Sequence, residues 1–213
     1  SPGNTLLIRN PDASPSAQHD TGGLVCQKMI SHPFSGRANK CSGISAAFLL
    51  FSSAPCRKTS SWMCLRKCMF AIVSDIHSNL EALTAVLADI EERGIRTIYC
   101  LGDVVGYGPN PRECLDLIIE KSKWCVLGNH DYAVFYEPTN FNYGAEQASF
   151  WTREVLEAER DKELGDRRWS FLGELPMRRT LKTKLGTSTA VIDYVHASPR
   201  KPVNEYIFTD DVY

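Results

Sequence analysis

The stretch Ile72-Val73-Ser74-Asp75-Ile76-His77-Ser78-Asn79 decides the predicted fold of this 213-residue chain. Residues 69–73 form an apolar run with the length and β-branched content of a buried strand, and the run stops abruptly at polar residues. Asp75 and His77 are one residue apart, so in an extended segment both side chains can lie on the same side. The stretch therefore places a carboxylate and an imidazole at the end of a strand.

A helix is predicted directly after this stretch. Ser78 and Glu81 have the spacing of a capping box, which indicates a helix that begins near Asn79, and Gly94 is typical of its end. The apolar positions repeat with helical spacing and share one face: Leu80, Leu83, Val86, Leu87 and Ile90. Strand, ligand-type residues and helix thus follow one another without a gap.

A second unit repeats this construction. Residues 95–100 are predicted to form a strand, and Gly102-Asp103 and a glycine-rich loop at residues 104–109 follow it. Asn110 and Pro111 then indicate a new helix, because asparagine is a common cap and proline fits the first turn. The glycine-rich loop is interpreted as a tight turn beside the site.

A third unit completes the pattern, with a strand predicted at residues 124–127 ahead of Gly128-Asn129-His130-Asp131. The carboxyl ends of parallel strands meet at one edge of a sheet, where α/β proteins place their chemistry. The alternation of strands and helices from Met69 onward predicts a layered α/β fold with mixed sheets.

The later part of the chain adds a loop, two helices and a hairpin. The loop at residues 136–143 carries several asparagine and aromatic residues and is expected to line a cleft. Trp151 and Trp169 have helical spacing among apolar residues and are predicted to lie in the core. His196 directly follows the last predicted strand. The predicted helices span residues 145–158 and 166–175, and the hairpin strands span residues 179–184 and 190–195.

Charge is unevenly distributed along the chain. The net charge is −1, yet residues 1–68 hold eight Lys or Arg against Asp12 and Asp20, which leaves the remainder acidic by about seven charges. An acidic body favours a metal site over a polyanion groove, and no basic stripe indicates a nucleic-acid partner. No stretch reaches the ~20 apolar residues needed to span a bilayer.

Residues 1–68 are predicted to be a disordered or leader segment, because they are rich in Ser, Pro, Gly and Cys and show no sustained period. Residues 44–51 resemble the apolar core of a secretory signal, and the Arg-rich, acid-poor composition also fits a transit peptide. The favoured interpretation is a cytoplasmic protein whose domain begins at Met69 and runs to Tyr213. Cys100 and Cys125 are expected to be free thiols in buried strands.

The residues at the strand ends have the chemistry of metal ligands. Oxygen and imidazole donors without thiolates suit divalent Mn, Fe, Zn, Ni or Mg, and the donor set alone does not choose among them. Two such ions a few ångström apart form a clamp for in-line attack on phosphorus. The candidate residues are Asp75, His77, Asp103, Asn129, His130, Asp131 and His196.

These blocks, in this order, resemble the calcineurin-like metallophosphoesterase superfamily. The stretches Gly102-Asp103-Val104-Val105-Gly106-Tyr107-Gly108-Pro109 and His196-Ala197-Ser198-Pro199-Arg200 are similar to a prokaryotic branch of small phosphodiesterase-like members. The resemblance implies that Asp75 and His77 bind a first metal, that Asp103 bridges both metals, and that Asn129 and His196 bind the second.

The resemblance also implies a reaction. His130 would stabilise the transition state or protonate the leaving oxygen, and Asp131 would orient its imidazole. A hydroxide that bridges the metals would attack phosphorus in line, and the substrate would be a small phosphate ester, with a phosphodiester preferred. A nuclease-like role on DNA ends is disfavoured by the missing basic stripe.

One block of the family pattern is not found in the 213 residues. The family closes its site with a Gly-His-x-His block, whereas this sequence ends at Tyr213, so each metal would keep three protein ligands and lose one. We therefore expect either a truncated fragment, which the abrupt end favours, or a degraded relative. The alternative function is a catalytically impaired chain that acts as a binding or regulatory module.

Overall fold

The computed structural model describes residues 69–185 and 188–206, together with three short strands nearer the N-terminus. The strands are β1 Leu6–Arg9, β2 Leu24–Val25, β3 Ser45–Leu50, β4 Met69–Ser74, β5 Ile98–Cys100, β6 Trp124–Cys125, β7 Arg179–Leu185 and β8 Ser188–Tyr194. The helices are α1 Leu80–Glu92, α2 Pro111–Lys121, α3 Asn129–Phe135, α4 Tyr143–Glu157 and α5 Lys162–Gly173.

The first sheet has the strand order β3-β4-β5-β6. Strands β4, β5 and β6 are parallel, with Val73 opposite Cys100 and Cys100 opposite Cys125, and β3 pairs antiparallel with β4. Helices α1 and α2 form the crossovers that parallel pairing requires. The carboxyl ends of the three parallel strands therefore lie at one edge, as the sequence predicted.

The second sheet is antiparallel throughout, with the order β2-β1-β8-β7. The two sheets pack against each other, since Ile192 and Tyr194 of β8 share an apolar cluster with Ile72, Tyr99 and Leu101. The other face of the parallel sheet packs on the helices through alternate residues of its strands. The predicted layered α/β fold with mixed sheets is confirmed.

Most predicted elements are present, although several bounds differ. The helix predicted from residue 166 begins four residues earlier, where the Asp161 side chain accepts hydrogen bonds from two backbone N–H groups. Trp169 packs against the core as predicted, but the core assignment of Trp151 is wrong, because this side chain is exposed on α4. Cys100 and Cys125 are buried free thiols, as expected.

The capping box predicted at Ser78 and Glu81 is wrong. The cap is Asn79, whose Oδ1 accepts a hydrogen bond from Ala82 N at 3.0 Å. His77 and Ser78 both have a positive φ, of 50° and 57°, so the chain enters the helix only after them. The hydroxyl of Ser78 is instead buried and has no hydrogen-bond partner within the described part of the chain.

The segment predicted to be disordered contributes β1 and β2 to the second sheet and β3 to the first. The remaining residues of that segment, including the secretory-like stretch beyond Leu50, lie outside the described residues, as do residues 186 and 187 between the two hairpin strands. The domain boundary at Met69 stays a prediction. No helix in the described ranges is long and apolar enough to cross a membrane.

Candidate metal centre

The loops that follow β4 and β5 continue to pair beyond the ends of the strands. The backbone N–H groups of Ile76 and His77 both donate to the carbonyl oxygen of Asp103, at 2.8 and 2.9 Å. Asp75, His77 and Asp103 all adopt the left-handed region, with φ values of 56°, 50° and 53°. Non-glycine residues rarely adopt this conformation, and its cost is accepted mostly at functional sites.

The loops that follow β5 and β6 approach each other through glycine. A Cβ on Gly128 would lie 2.1 Å from Asp103 Oδ1 and 2.2 Å from Asp103 N. A Cβ on Gly102, which has a φ of 92°, would lie 2.4 Å from Gly128 N. Only residues without a side chain allow this approach, which brings Asn129 and His130 next to Asp103.

Asp103 occupies the centre of the arrangement. Its side chain is buried, and Oδ1 accepts a hydrogen bond from the backbone N–H of His130 at 2.9 Å. Its other oxygen, Oδ2, lies 3.7 Å from His77 Nε2 and 3.4 Å from His196 Nε2. One carboxylate oxygen therefore faces imidazoles from two sides, which is the placement that a bridging ligand requires.

His196 arrives from the antiparallel sheet, directly after β8. Its Nδ1 lies 2.8 Å from the carbonyl oxygen of Leu101, and a carbonyl can only accept, so Nδ1 carries a proton. The opposite nitrogen, Nε2, lies 2.9 Å from Asn129 Oδ1. The hydrogen bond from Nδ1 to Leu101 orients the ring so that Nε2 faces Asn129 and Asp103, as second-shell partners of metal-binding histidines do.

Two groups of potential ligand atoms share Asp103. His77, Asp103 and His130 form one group and Asp75, Asp103 and His196 form the other, and within each group the candidate ligand atoms all lie within 4.8 Å of one another. Asp103 belongs to both groups, and its bridging role stays a prediction. The grouping differs, because Asp75 is placed with His196 rather than with His77, and His130 joins His77.

Asp131 does not take its predicted place beside the His130 imidazole. Its carboxylate accepts hydrogen bonds from the backbone N–H groups of Asp103 at 2.8 Å, Val104 at 2.9 Å, Val105 at 3.2 Å and Gly128 at 3.2 Å. The Nδ1 atom of His130 is buried without a hydrogen-bond partner among the described residues. The orienting role is therefore corrected: Asp131 fixes the loop that carries Asp103.

The electrostatics of the cluster follow from burial and from the short distances between its charges. Burial raises the pKa of Asp103, but the neighbouring imidazoles of His196, His130 and His77 outweigh it and lower this pKa to about 2. Burial lowers the pKa of His196, but the carboxylates of Asp103 and Asp75 raise it to about 9. Without a bound ion, Asp103 and His196 thus form a buried carboxylate–imidazolium pair.

His130 and Asp131 shift toward their neutral forms. Burial lowers the pKa of the His130 imidazole to about 4, so this ring is neutral at pH 7. Burial and the charge of Asp103 raise the pKa of Asp131 to about 7, against the backbone N–H groups that favour its ionised form. A neutral His130 retains one N–H donor for a ligand.

Comparison with known proteins agrees with this geometry. The family model for calcineurin-like phosphoesterases matches residues 69–195. The chain belongs to the calcineurin-like phosphoesterase family. The uncharacterised protein MJ0912 of Methanocaldococcus jannaschii is 45% identical over 152 residues, which cover 68% of this chain and 56% of that protein.

One solved structure is also similar to this chain. The crystal structure of a metallophosphoesterase from Sphaerobacter thermophilus is 38% identical, with a TM-score of 0.49, and the match covers 65% of this chain and 51% of that one. The chain thus spans little more than half the length of these two relatives.

The donors fit the divalent ions that give metallophosphoesterases their name. Among the residues that the structure describes, carboxylate, imidazole and amide groups converge without a thiolate, which suits borderline to hard cations. Asp103 is buried, and its ion-pair partners within the described ranges are His77 and His196 rather than Lys or Arg. A buried carboxylate that lacks a permanent cation favours the binding of an ion from solution.

Two aromatic residues at the site were not identified as functional from the sequence. The Tyr107 ring lies 4.5 Å from the His130 ring and 5.1 Å from the His77 ring, and the Phe141 ring lies 4.7 Å from that of His130. The glycine-rich loop and the loop at residues 136–143 were the available signals. The latter was expected to line a cleft, which the structure confirms.

Proposed function

We propose that this chain is a metal-dependent phosphoester hydrolase that acts on phosphodiesters. The observation that carries the proposal is the shared position of Asp103, whose Oδ2 faces His77 and His196 from opposite groups of ligand atoms. Two divalent ions held there would supply the positive charge that polarises the ester and acidifies water. Their identity, among Mn, Fe, Zn, Ni and Mg, stays open in the proposal.

The protein side chains divide the work in the proposed reaction. Asp75, His77, Asp103, Asn129 and His196 would hold the ions. His130 stays neutral at pH 7 because burial lowers its pKa to about 4, so it would donate an N–H hydrogen bond to a phosphate oxygen rather than act as an imidazolium acid. Asp131 would keep the loop of Asp103 in place through its four backbone hydrogen bonds.

The charge near the site supports a preference for diesters. A phosphodiester carries one negative charge, whereas a monoester at neutral pH carries up to two. The cation that lines the adjoining cleft, within the part of the chain that the structure describes, is Lys201. This sparse positive charge suits a singly charged ester and supports a small phosphodiester as the substrate.

Hydrolysis of bis-p-nitrophenyl phosphate by the 213-residue chain with added Mn²⁺ tests the proposal. Asp103→Asn should lower kcat/KM at least 100-fold, because the amide cannot supply a negatively charged bridging oxygen. Asp166→Asn, which changes an exposed carboxylate on α5, is the matched control and should retain activity. Equal activity of wild type and Asp103→Asn would refute the proposal.

The alternative function is an impaired chain that serves as a binding or regulatory module. Calorimetric titration with Mn²⁺ separates the two functions. Ion binding that depends on Asp103, without turnover of the diester, would support the module and exclude the hydrolase.

A further inference from the structure

A cleft of about 320 Å³ lies next to the candidate metal centre. It is bounded by α3, by the loop that precedes α4, and by the segment that follows His196. The lining residues that matter here are Asn129, Tyr132, Phe141, Met177 and Lys201. Its volume is near the lower end of the range for small-molecule sites, so it suits one small group.

The walls of the cleft are mainly aromatic and apolar. The side chains of Tyr132, Phe141 and Met177 line it together with Pro202 and Val203. The Tyr132 ring contacts that of Tyr136, at a centroid distance of 4.8 Å. Rings and a thioether form surfaces that favour planar aromatic groups through stacking and sulfur–aromatic contact.

The cleft is continuous with the cluster of ligand atoms. Asn129 lines the cleft and its Oδ1 lies 2.9 Å from His196 Nε2. Phe141 also lines the cleft and its ring contacts that of His130 at 4.7 Å. A phosphate between His130 and Asn129 would therefore project one of its ester groups directly into this cleft.

Polar groups lie among the apolar walls. Thr139, Lys201 and Asn204 contribute a hydroxyl, an ammonium group and an amide. Such groups satisfy the polar edge of a heteroaromatic ring, which an entirely apolar cleft would leave without partners. A nucleobase meets both conditions, because it combines a stacking face with hydrogen-bonding edges.

We propose that this cleft binds a planar aromatic group of the phosphate ester, with a nucleobase as its biological form. This proposal rests on the proposed hydrolase function, since it names the substrate class of the same site. Phe141 and Tyr132 form its aromatic walls and Met177 its apolar wall, so these side chains determine which ester group is accepted.

Product-type ligands test the cleft directly. Calorimetric titration of the Mn²⁺-loaded 213-residue chain should give Kd values at least tenfold lower for phenyl phosphate and thymidine 5′-monophosphate than for methyl phosphate and ribose 5-phosphate. Tighter binding of the thymidine ligand than of phenyl phosphate would identify the nucleobase as the source of the aromatic group. Equal Kd values for all four ligands would overturn the proposal.

Variants of the cleft residues test whether the aromatic preference depends on their side chains. Phe141→Leu keeps an apolar side chain but removes the ring, and Met177→Ala shortens the apolar wall, so each should reduce the tenfold preference to less than threefold. Tyr143→Ala is the matched control, because this exposed ring lies outside the cleft lining and its loss should leave the preference intact. A preference that survives in both cleft variants would also refute the proposal.

The same measurements distinguish the two proposals. Asp103-dependent hydrolysis without a preference for aromatic ligands would support the hydrolase function and refute the proposed role of the cleft. An aromatic preference in calorimetry without hydrolysis would leave the cleft as a binding site and exclude the hydrolase.

Discussion

Two buried groups of charged residues in this protein differ in how their charges are balanced. In the helical layer, the buried Arg168 guanidinium contacts Asp116 at 2.6 and 2.9 Å and Glu159 at 2.7 Å. At the edge of the parallel sheet, the buried Asp103 carboxylate has only His77 and His196 as ion-pair partners among the described residues. The first group is called the Arg168 cluster below, and the second is the Asp103 cluster.

The difference in charge balance indicates that one group stabilises packing and that the other can bind an ion. The Arg168 cluster contains its own permanent cation, and the two carboxylates that contact it connect α5 to α2 and to the residues before α5. Such a group stabilises helix packing and needs no ligand. The ion-pair partners of the Asp103 cluster in the described part of the chain are imidazoles, which can bind a metal once deprotonated, so an ion from solution can take the place of a proton.

The largest expected effect comes from removing the cation of the Arg168 cluster. Arg168→Met should lower the free energy of unfolding by about 2–3 kcal/mol, less than the ~3–5 of a fully buried pair because Asp116 is partly exposed. The variant should still gain thermal stability on addition of Mn²⁺, whereas Asp103→Asn should lose that gain. Thermal unfolding with and without Mn²⁺ measures the stability of each variant and its gain from the ion. An equal gain in the two variants would contradict the assigned difference between the clusters.

Glycine substitutions test how closely the chain is packed at the Asp103 cluster and on α5. Gly128→Ala places a Cβ within 2.2 Å of the Asp103 backbone, so we expect a loss of about 2 kcal/mol in stability and a weaker response to Mn²⁺. Gly165→Ala in α5 is the matched control, because its Cβ would meet nothing closer than 3.7 Å. There we expect a gain of about 0.5–1 kcal/mol. A well-tolerated Gly128→Ala would show that the loops are less closely packed.

Metal binding should release protons from the Asp103 cluster. The carboxylates of Asp103 and Asp75 raise the pKa of His196 to about 9, so this imidazole is protonated in the metal-free protein at pH 7 and must lose its proton to bind an ion. The affinity for Mn²⁺ should therefore rise as pH increases, by up to roughly tenfold (~1.4 kcal/mol) per unit, and level off above about pH 9.

Calorimetry in buffers with different ionisation enthalpies measures this proton release directly. We expect about one proton per chain from His196 at pH 7, and its loss in His196→Gln. An unchanged proton count in that variant would assign the release to another group.

The smallest expected effect concerns the two asparagine caps. Asn79 accepts a hydrogen bond from Ala82 N at 3.0 Å, whereas Asn110 makes no side-chain hydrogen bond at the start of α2. Asn79→Ala should lower the free energy of unfolding by about 1 kcal/mol, and Asn110→Ala by a few tenths. Chemical denaturation of both variants measures the difference, and equal losses would contradict the assigned caps.

Local sequence was sufficient to predict the fold class and the sheet edge at which the candidate residues converge. The apolar run before Asp75, and the similar runs before Asp103 and Asn129, indicate parallel strands whose ends meet. His196 was also predicted as a candidate site residue, because it directly follows a strand with alternating apolar residues.

Several contacts could not be predicted, because they depend on conformation and on distant packing. The positive φ values at His77 and Ser78 move the helix start to Asn79, and no spacing rule indicates them. Asp131 lies beside His130 in sequence, yet its carboxylate bonds to backbone N–H groups near Asp103, 26 to 28 residues away. The contact of Phe141 with His130 likewise depends on how its loop folds back.

The position of His196 at the end of β8 affects how the two sheets are held together. It is the candidate ligand that follows β8 of the antiparallel sheet, and its imidazole bridges to Leu101 and Asn129 beside the parallel sheet. An ion coordinated by Asp103 and His196 would act as a cross-link between the two halves of the sandwich. Removal of the ion by a chelator would then weaken the docking of the hairpin as well as remove the proposed activity.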